Sequence, residues 1–405
     1  VTNYDDNAYQ ECDYYFGDEN DGAMSVGWRE IALTDVADAE TEQPGDSYWD
    51  SDQVRWFYFK SSGVKQTSST NKTINGRKYG FDEYGRMIAD WHAATANDAD
   101  NQLSRRGSNN NATATATKSY AKEFMYFSSP EDGARFTKGW FKVVPGYYLN
   151  YKDYDDGTDR WYYATGDGKI AAGEIKAIKG KKYAFDLKGG MISGLAMLRT
   201  SGNDILEYAD NDGKYDSQES FEKAARRINT PSSDWGFYYF SDNEDKDGSM
   251  KTGNQRITLD GTSFTFSFKK GGTKKGQGIN GMNEKKYYLG GMLMTADADN
   301  KIELLNKNTL ERVTVGKFVL DNHLVGKDVN SGKVGQANKG DVVYTDGTTG
   351  TTGTATGLDI SSLTSDYVVI NVSGNVVKSG SKVDGDGFKV VLDGNNKVKQ
   401  IIGTN

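Results

Sequence analysis

Between about residues 14 and 300 the chain repeats short aromatic runs in strand-like alternation, each closed by an acidic or glycine-rich turn. KKYAF (181–185) shows the period, with Tyr183 and Phe185 on one face. DLKGG (186–190) follows as a turn in which glycine can adopt positive φ, and Met191 and Ile192 begin the return. The predicted unit is a hairpin of about twenty residues, too small to stand alone, so another unit must stack on it.

The same pattern recurs. IKGKKYAFDLKGGMISG (178–194) matches INGRKYGFDEYGRMIAD (74–90) without a gap. Aromatic strands with acidic DG turns lie at YYFGDENDGAMSVGW (14–28), MYFSSPEDGARFTKGW (125–140) and YYFSDNEDKDGSMKTGN (238–254). WFYFKSSGVKQ (56–66) and WYYATGDGKIAAG (161–173) are two more hairpins. Their order defines three rounds of roughly 110 residues, the third degraded around KKYYLGGM (285–292). The domains expected are 1–122, 123–232, a degenerate 233–304, and 305–405. In the last, Val-rich alternation at 313–326 and 367–402 predicts a small separate β region, with a Gly/Thr-rich linker at 345–357. Polar insertions separate the hairpins: 31–43 and 217–228 are expected as short helices, and 101–119 as a loop. The fold class expected is all-β: stacked hairpin repeats in a solenoid-like body with short helical insertions.

Composition agrees. Only 36% of the 405 residues are hydrophobic, yet 12% are aromatic, with 25 Tyr and 48 Gly. Such a chain is pinned by aromatic side chains at many tight turns rather than by one aliphatic core. The net charge of -8 argues against nucleic acid as a main partner, because phosphate binding needs a basic surface. No stretch approaches the roughly 18 apolar residues of a membrane span. Cys12 is the only cysteine, so no intramolecular disulfide forms, and it is expected to be packed beside its aromatic strand. The opening VTNYDDNAYQ has neither a basic n-region nor an apolar h-region, so a secreted form is expected to have lost its signal upstream of this numbering.

The GW, WYY…DG and INGxKYxFDxxGxM units resemble the cell-wall-binding repeats of Gram-positive surface proteins, which include choline-binding modules, glucan-binding repeats of glucosyltransferases and the repeat regions of large clostridial toxins. The resemblance covers most of 1–300. It implies stacked hairpins that hold choline or glucan segments between the aromatic side chains of successive units, outside the cell. The Gly-Trp of the family is present as Gly27-Trp28 and Gly139-Trp140; it becomes Asp90-Trp91, Gly194-Leu195 and Gly253-Asn254 at other junctions. Hairpin aromatics that would supply further walls match at Tyr58, Tyr126 and Tyr162.

Trp28, Trp91 and Trp140 are read either as platforms for sugar rings or as seals between hairpins. Asn243, Asp245 and Asp247, followed by Gly248, fit the start of a calcium loop, but Asn254 stands where the closing acid belongs. His92 and His323, the only histidines, sit in unrelated segments, and no zinc spacing, nucleophile elbow or phosphate loop occurs. The expected function is therefore non-catalytic binding of cell-wall or extracellular polysaccharide. Two alternatives remain open: a self-assembling surface subunit that associates through its C-terminal strands, and the wall-targeting module of a phage lysin or tail protein.

Overall fold

The computed structural model describes residues 12–17, 22–32, 54–93, 114–209, 214–230, 233–242, 247–322, 324–327, 334–335, 342–345, 363–383 and 387–403. It is a chain of short antiparallel strand pairs with a few short helices, as the alternation predicts. Four helices are described: α1 (Ala114–Ala121), α2 (Tyr151–Asp155), α3 (Gln218–Ile228) and α4 (Val315–Asp321).

The hairpins are built around a different turn from the one expected. Strand Lys181–Phe185 pairs along its length with the preceding strand, Glu174–Ile178. Lys179 (φ 48) and Gly180 (φ 81) join them. Two consecutive positive φ values mark the turn whose twist suits a hairpin. Asn75-Gly76 (φ 49, 81) does the same between Ser69–Ile74 and Arg77–Phe81. The DLKGG turn makes only a single bridge, Phe185 to Met191. That turn is held by a carboxylate: Asp186 Oδ1 accepts from the amides of Lys188 (2.8 Å) and Gly190 (3.0 Å). Asp82 repeats it with Tyr84 and Arg86.

The long insertions enter where other units have the two-residue turn. One joins strand Gly139–Val143 to Arg160–Ala164 and carries α2. Another joins Gly194–Ser201 to Trp235–Phe240 and carries α3. Helix α3 was expected; Ser217 caps it, and it buries Phe221 and Ala225. Of the helix expected at 31–43, Ile31 and Ala32 end a strand and the rest lies outside the described residues. The expected loop at 101–119 instead ends in α1, its first thirteen positions being outside the described residues. The β reading of 313–326 fails at α4: Thr314 caps Val315, Phe318 and Val319, which bury themselves at helical spacing. Cys12 is exposed rather than packed.

Contacts divide the described residues into two units, one running to Ser193 with 203–208 and 247–249, the other holding the rest. In the first unit, neighbouring hairpins stack in series through a repeated backbone bond. Each return residue donates to the aromatic strand of the hairpin before: Met87 to Trp56 (2.7 Å), Arg135 to Lys78 (2.8 Å), Ile170 to Phe124 (3.0 Å) and Met191 to Trp161 (2.8 Å). The turn glycine then closes on the previous return residue. A Cβ at Gly133 (φ +57) would stand 2.3 Å from the Met87 sulfur, so no other residue fits without displacement. The second unit repeats the step, with Gly278 donating to Phe237 (2.7 Å). Its core joins α3 to Phe237, Phe266 and Leu289. An aliphatic cluster around Leu304, Val369, Val390 and Ile401 lies beyond.

Candidate functional site

The site is built by strand register. Gly27 takes φ +77 and opens strand Gly27–Ala32, which places Trp28 directly opposite Tyr58. Asp90 holds the same left-handed turn at φ +52, a conformation that aspartate tolerates better than most residues, and Trp91 then faces Tyr126. Trp140 faces Tyr163. Each tryptophan next meets a tyrosine from the hairpin stacked above it: Tyr79, Tyr162 and Tyr183 respectively.

Three aromatic corners result. Trp28 lies 5.3 Å from Tyr58, 4.8 Å from Tyr79, 6.4 Å from Trp56 and 5.7 Å from Phe81, measured between ring centroids. Trp140 lies 5.2 Å from Tyr163, 4.9 Å from Tyr183, 6.4 Å from Trp161 and 5.6 Å from Phe185. Tyr58, Tyr79 and Trp56 stand at 68°, 67° and 84° to the Trp28 indole, and Tyr163, Tyr183 and Trp161 at 68°, 66° and 83° to that of Trp140. Met87 and Met191 complete the two sets. Both tryptophans are half-buried.

The Trp91 corner repeats these walls but is filled. Tyr126, Tyr162 and Phe124 stand 5.2, 4.9 and 6.3 Å away. Tyr162 is fully buried. Ala164 occupies the place of Phe81 and Phe185, and the missing ring is supplied by Phe141, 5.7 Å from Trp91 and 5.1 Å from Tyr126. The Trp91 Nε1–H donates to the Val144 carbonyl at 2.8 Å.

The expected wall residues are thus distributed as follows. Trp28 and Tyr58 share a corner, Trp91 and Tyr126 share another with Tyr162, and Trp140 takes Tyr163 in the role that Tyr58 plays for Trp28. Sequence reading passed over Trp56, Trp161, Tyr163, Met87 and Met191 as walls, although each lies in a quoted repeat and Met87 and Met191 align in it.

Burial and the neighbouring Asp90 push the Tyr126 phenol up to about 12. Burial raises Tyr183, with Asp247 adding to it. An ion pair flanks each open corner: Arg77 with Asp132 (2.6 Å), and Lys181 with Asp247 (3.4 Å). The acid comes in both cases from the DG turn of the next hairpin. Of the calcium candidates, Asn243 and Asp245 lie outside the described residues, and Asp247 is the Lys181 partner. Among the described residues no three His, Cys, Asp or Glu side chains gather in a metal-holding group. Mutually inclined aromatic walls can seat an apolar face or a soft cation.

No protein-family model matches the chain, and no curated protein sequence does. Solved structures that it matches include choline-binding proteins and an alternansucrase, in line with the resemblance that the sequence units carry. One is choline-binding protein F from Streptococcus pneumoniae in the presence of a peptidoglycan analogue, at 16% identity over 95% of this chain and 88% of that one, TM-score 0.38. Another is the modular autolysin LytC from Streptococcus pneumoniae, at 16% identity over 83% of this chain and 48% of that one, TM-score 0.33. At such scores, what this chain binds rests on its own side chains. No helix among the described residues is long and apolar enough to cross a membrane.

Proposed function

We propose that this is a non-catalytic, extracellular wall-binding protein that holds groups of a cell-wall or extracellular polysaccharide in the Trp28 and Trp140 corners. The observation that carries the reading is duplication. Six side chains recur at matching places in two rounds, with centroid distances that agree to 0.1 Å. Two weak sites on one chain bind a repetitive polymer with an avidity above either alone. A flat sugar face can stack on a single ring, whereas a quaternary ammonium gains from each ring within about 6 Å, roughly 0.5–2 kcal/mol apiece. The inclination of three walls to each indole favours the ammonium as the group seated there, carried on the wall polymer.

The test is retention on purified cell walls, on glucan and on choline resin. Wild type is expected to be retained on walls. Trp28→Ala with Trp140→Ala is expected to weaken retention at least tenfold while the far-ultraviolet circular dichroism stays unchanged. Equal elution of wild type and double variant from all three supports would overturn the reading.

A further inference from the structure

We propose that the Trp91 corner is a third ligand site held shut by the chain's own strap, residues 144–149; this rests on the reading of the two open corners as sites. Both tyrosine walls are kept: Trp91 meets Tyr126 and Tyr162 at centroid distances within 0.1 Å of those at Trp28 and Trp140. Phe124, Ala164 and Ile170 stand where the Trp28 corner has Trp56, Phe81 and Met87, and the strap is the further difference that covers the corner. Its Val144 carbonyl accepts the Trp91 indole N–H. The Gly146 backbone lies flush on the indole, where an added Cβ would meet Trp91 Cβ, Cγ and Cδ1 at 3.0–3.3 Å. Leu149 is buried in the same cluster, and Phe124, whose counterparts Trp56 and Trp161 are half-buried, is buried there too.

The strap is an addition to a unit that does not need it. Val143 and Arg160 are cross-strand partners at its two ends, as Ile178 and Lys181 are around the two-residue turn Lys179-Gly180. Replacing 144–159 by Asn-Gly therefore restores the connection that the chain already uses at 75–76.

The experiment is calorimetric titration with choline chloride. Wild type is expected to take two equivalents and the Asn-Gly variant three. Two equivalents for both proteins would overturn the strap and leave the open corners standing. No choline bound by wild type but one equivalent by the variant would overturn the open corners and uphold the strap. No binding to either overturns both. Should the variant not fold, Trp91→Phe in the full chain decides: the shut corner requires an unchanged two equivalents, and a loss of one would contradict it.

Discussion

Residues 181–192 and 367–377 perform the same structural step with different side chains. In the first, Phe185 bridges Met191 around a turn held by Asp186. In the second, Ile370 bridges Val376 around a turn held by Asn371, whose Oδ1 accepts from Ser373 and Asn375 at 3.0 Å each. The third residue after the capping side chain is glycine in both, and it closes on the preceding unit, Gly189 on Ile170 and Gly374 on Leu293. Yet Tyr183 is a corner wall, and its counterpart Val368 packs against the core that α3 shares with Phe237, Phe266 and Leu289. The stacking device is thus the Asx-held turn with its glycine; aromatic walls are added to it in some rounds and omitted in others. The junction at Gly253-Asn254 agrees: its ladder persists, Gly253 opposite Phe268, while Asn254 and Ser267 stand where Trp140 and Tyr163 do.

If the two segments share a device, emptying their bridges should cost alike. Phe185→Ala and Ile370→Ala, both fully buried, are each expected to lose about 3–5 kcal/mol in denaturant unfolding. A large loss in one alone would break the equivalence. The first aromatic round carries a further term in His92. Burial pushes His92 down to about 4 from 6.5. A lowered histidine pKa favours the folded state above the unfolded value, and that advantage drains away as pH falls from 6.5 towards 4. The difference between wild type and His92→Phe should therefore shrink by about 2–3 kcal/mol across that window. A difference independent of pH would place the ring in water.

Smaller effects sharpen the comparison. Asp186→Ala removes the acceptor of two amides and is expected to cost about 1–2 kcal/mol. Asp186→Asn imitates Asn371 and should stay within about 0.5 kcal/mol of wild type. Burial raises the Asp186 carboxyl, so its charged form is disfavoured in the fold, and this handicap, absent in the asparagine variant, fades as pH falls through the folded value. Thermal unfolding from pH 4 to 7 reads both.

The strands and the repeat were legible because aromatic alternation is a strong period-two signal and the unit recurs without a gap. The pairing was less so. Asn75-Gly76 is a hairpin signal in its own right, but the DG and GG turns that follow each aromatic strand drew the assignment away from it. The walls failed at register. WFYF and WYYA are aromatic throughout, with no polar residue to fix the face, so only the pairing of Gly139 with Ala164 sets Tyr163 against Trp140 and frees Tyr162 for Trp91. Phe141 filling the place left by Ala164 is a tertiary compensation between strands, and no local pattern encodes it. In VTVGKFVLD, Thr314 with Val315, Phe318 and Val319 carries a cap and helical spacing that the surrounding valine alternation concealed.

The most direct measurement follows the indole N–H resonances of the seven tryptophans, labelled with nitrogen-15, during addition of solubilised wall polysaccharide. The account expects the Trp28 and Trp140 signals to shift together while Trp91, bonded to Val144, stays in place. A shift at Trp91 with Trp28 and Trp140 unmoved would contradict it.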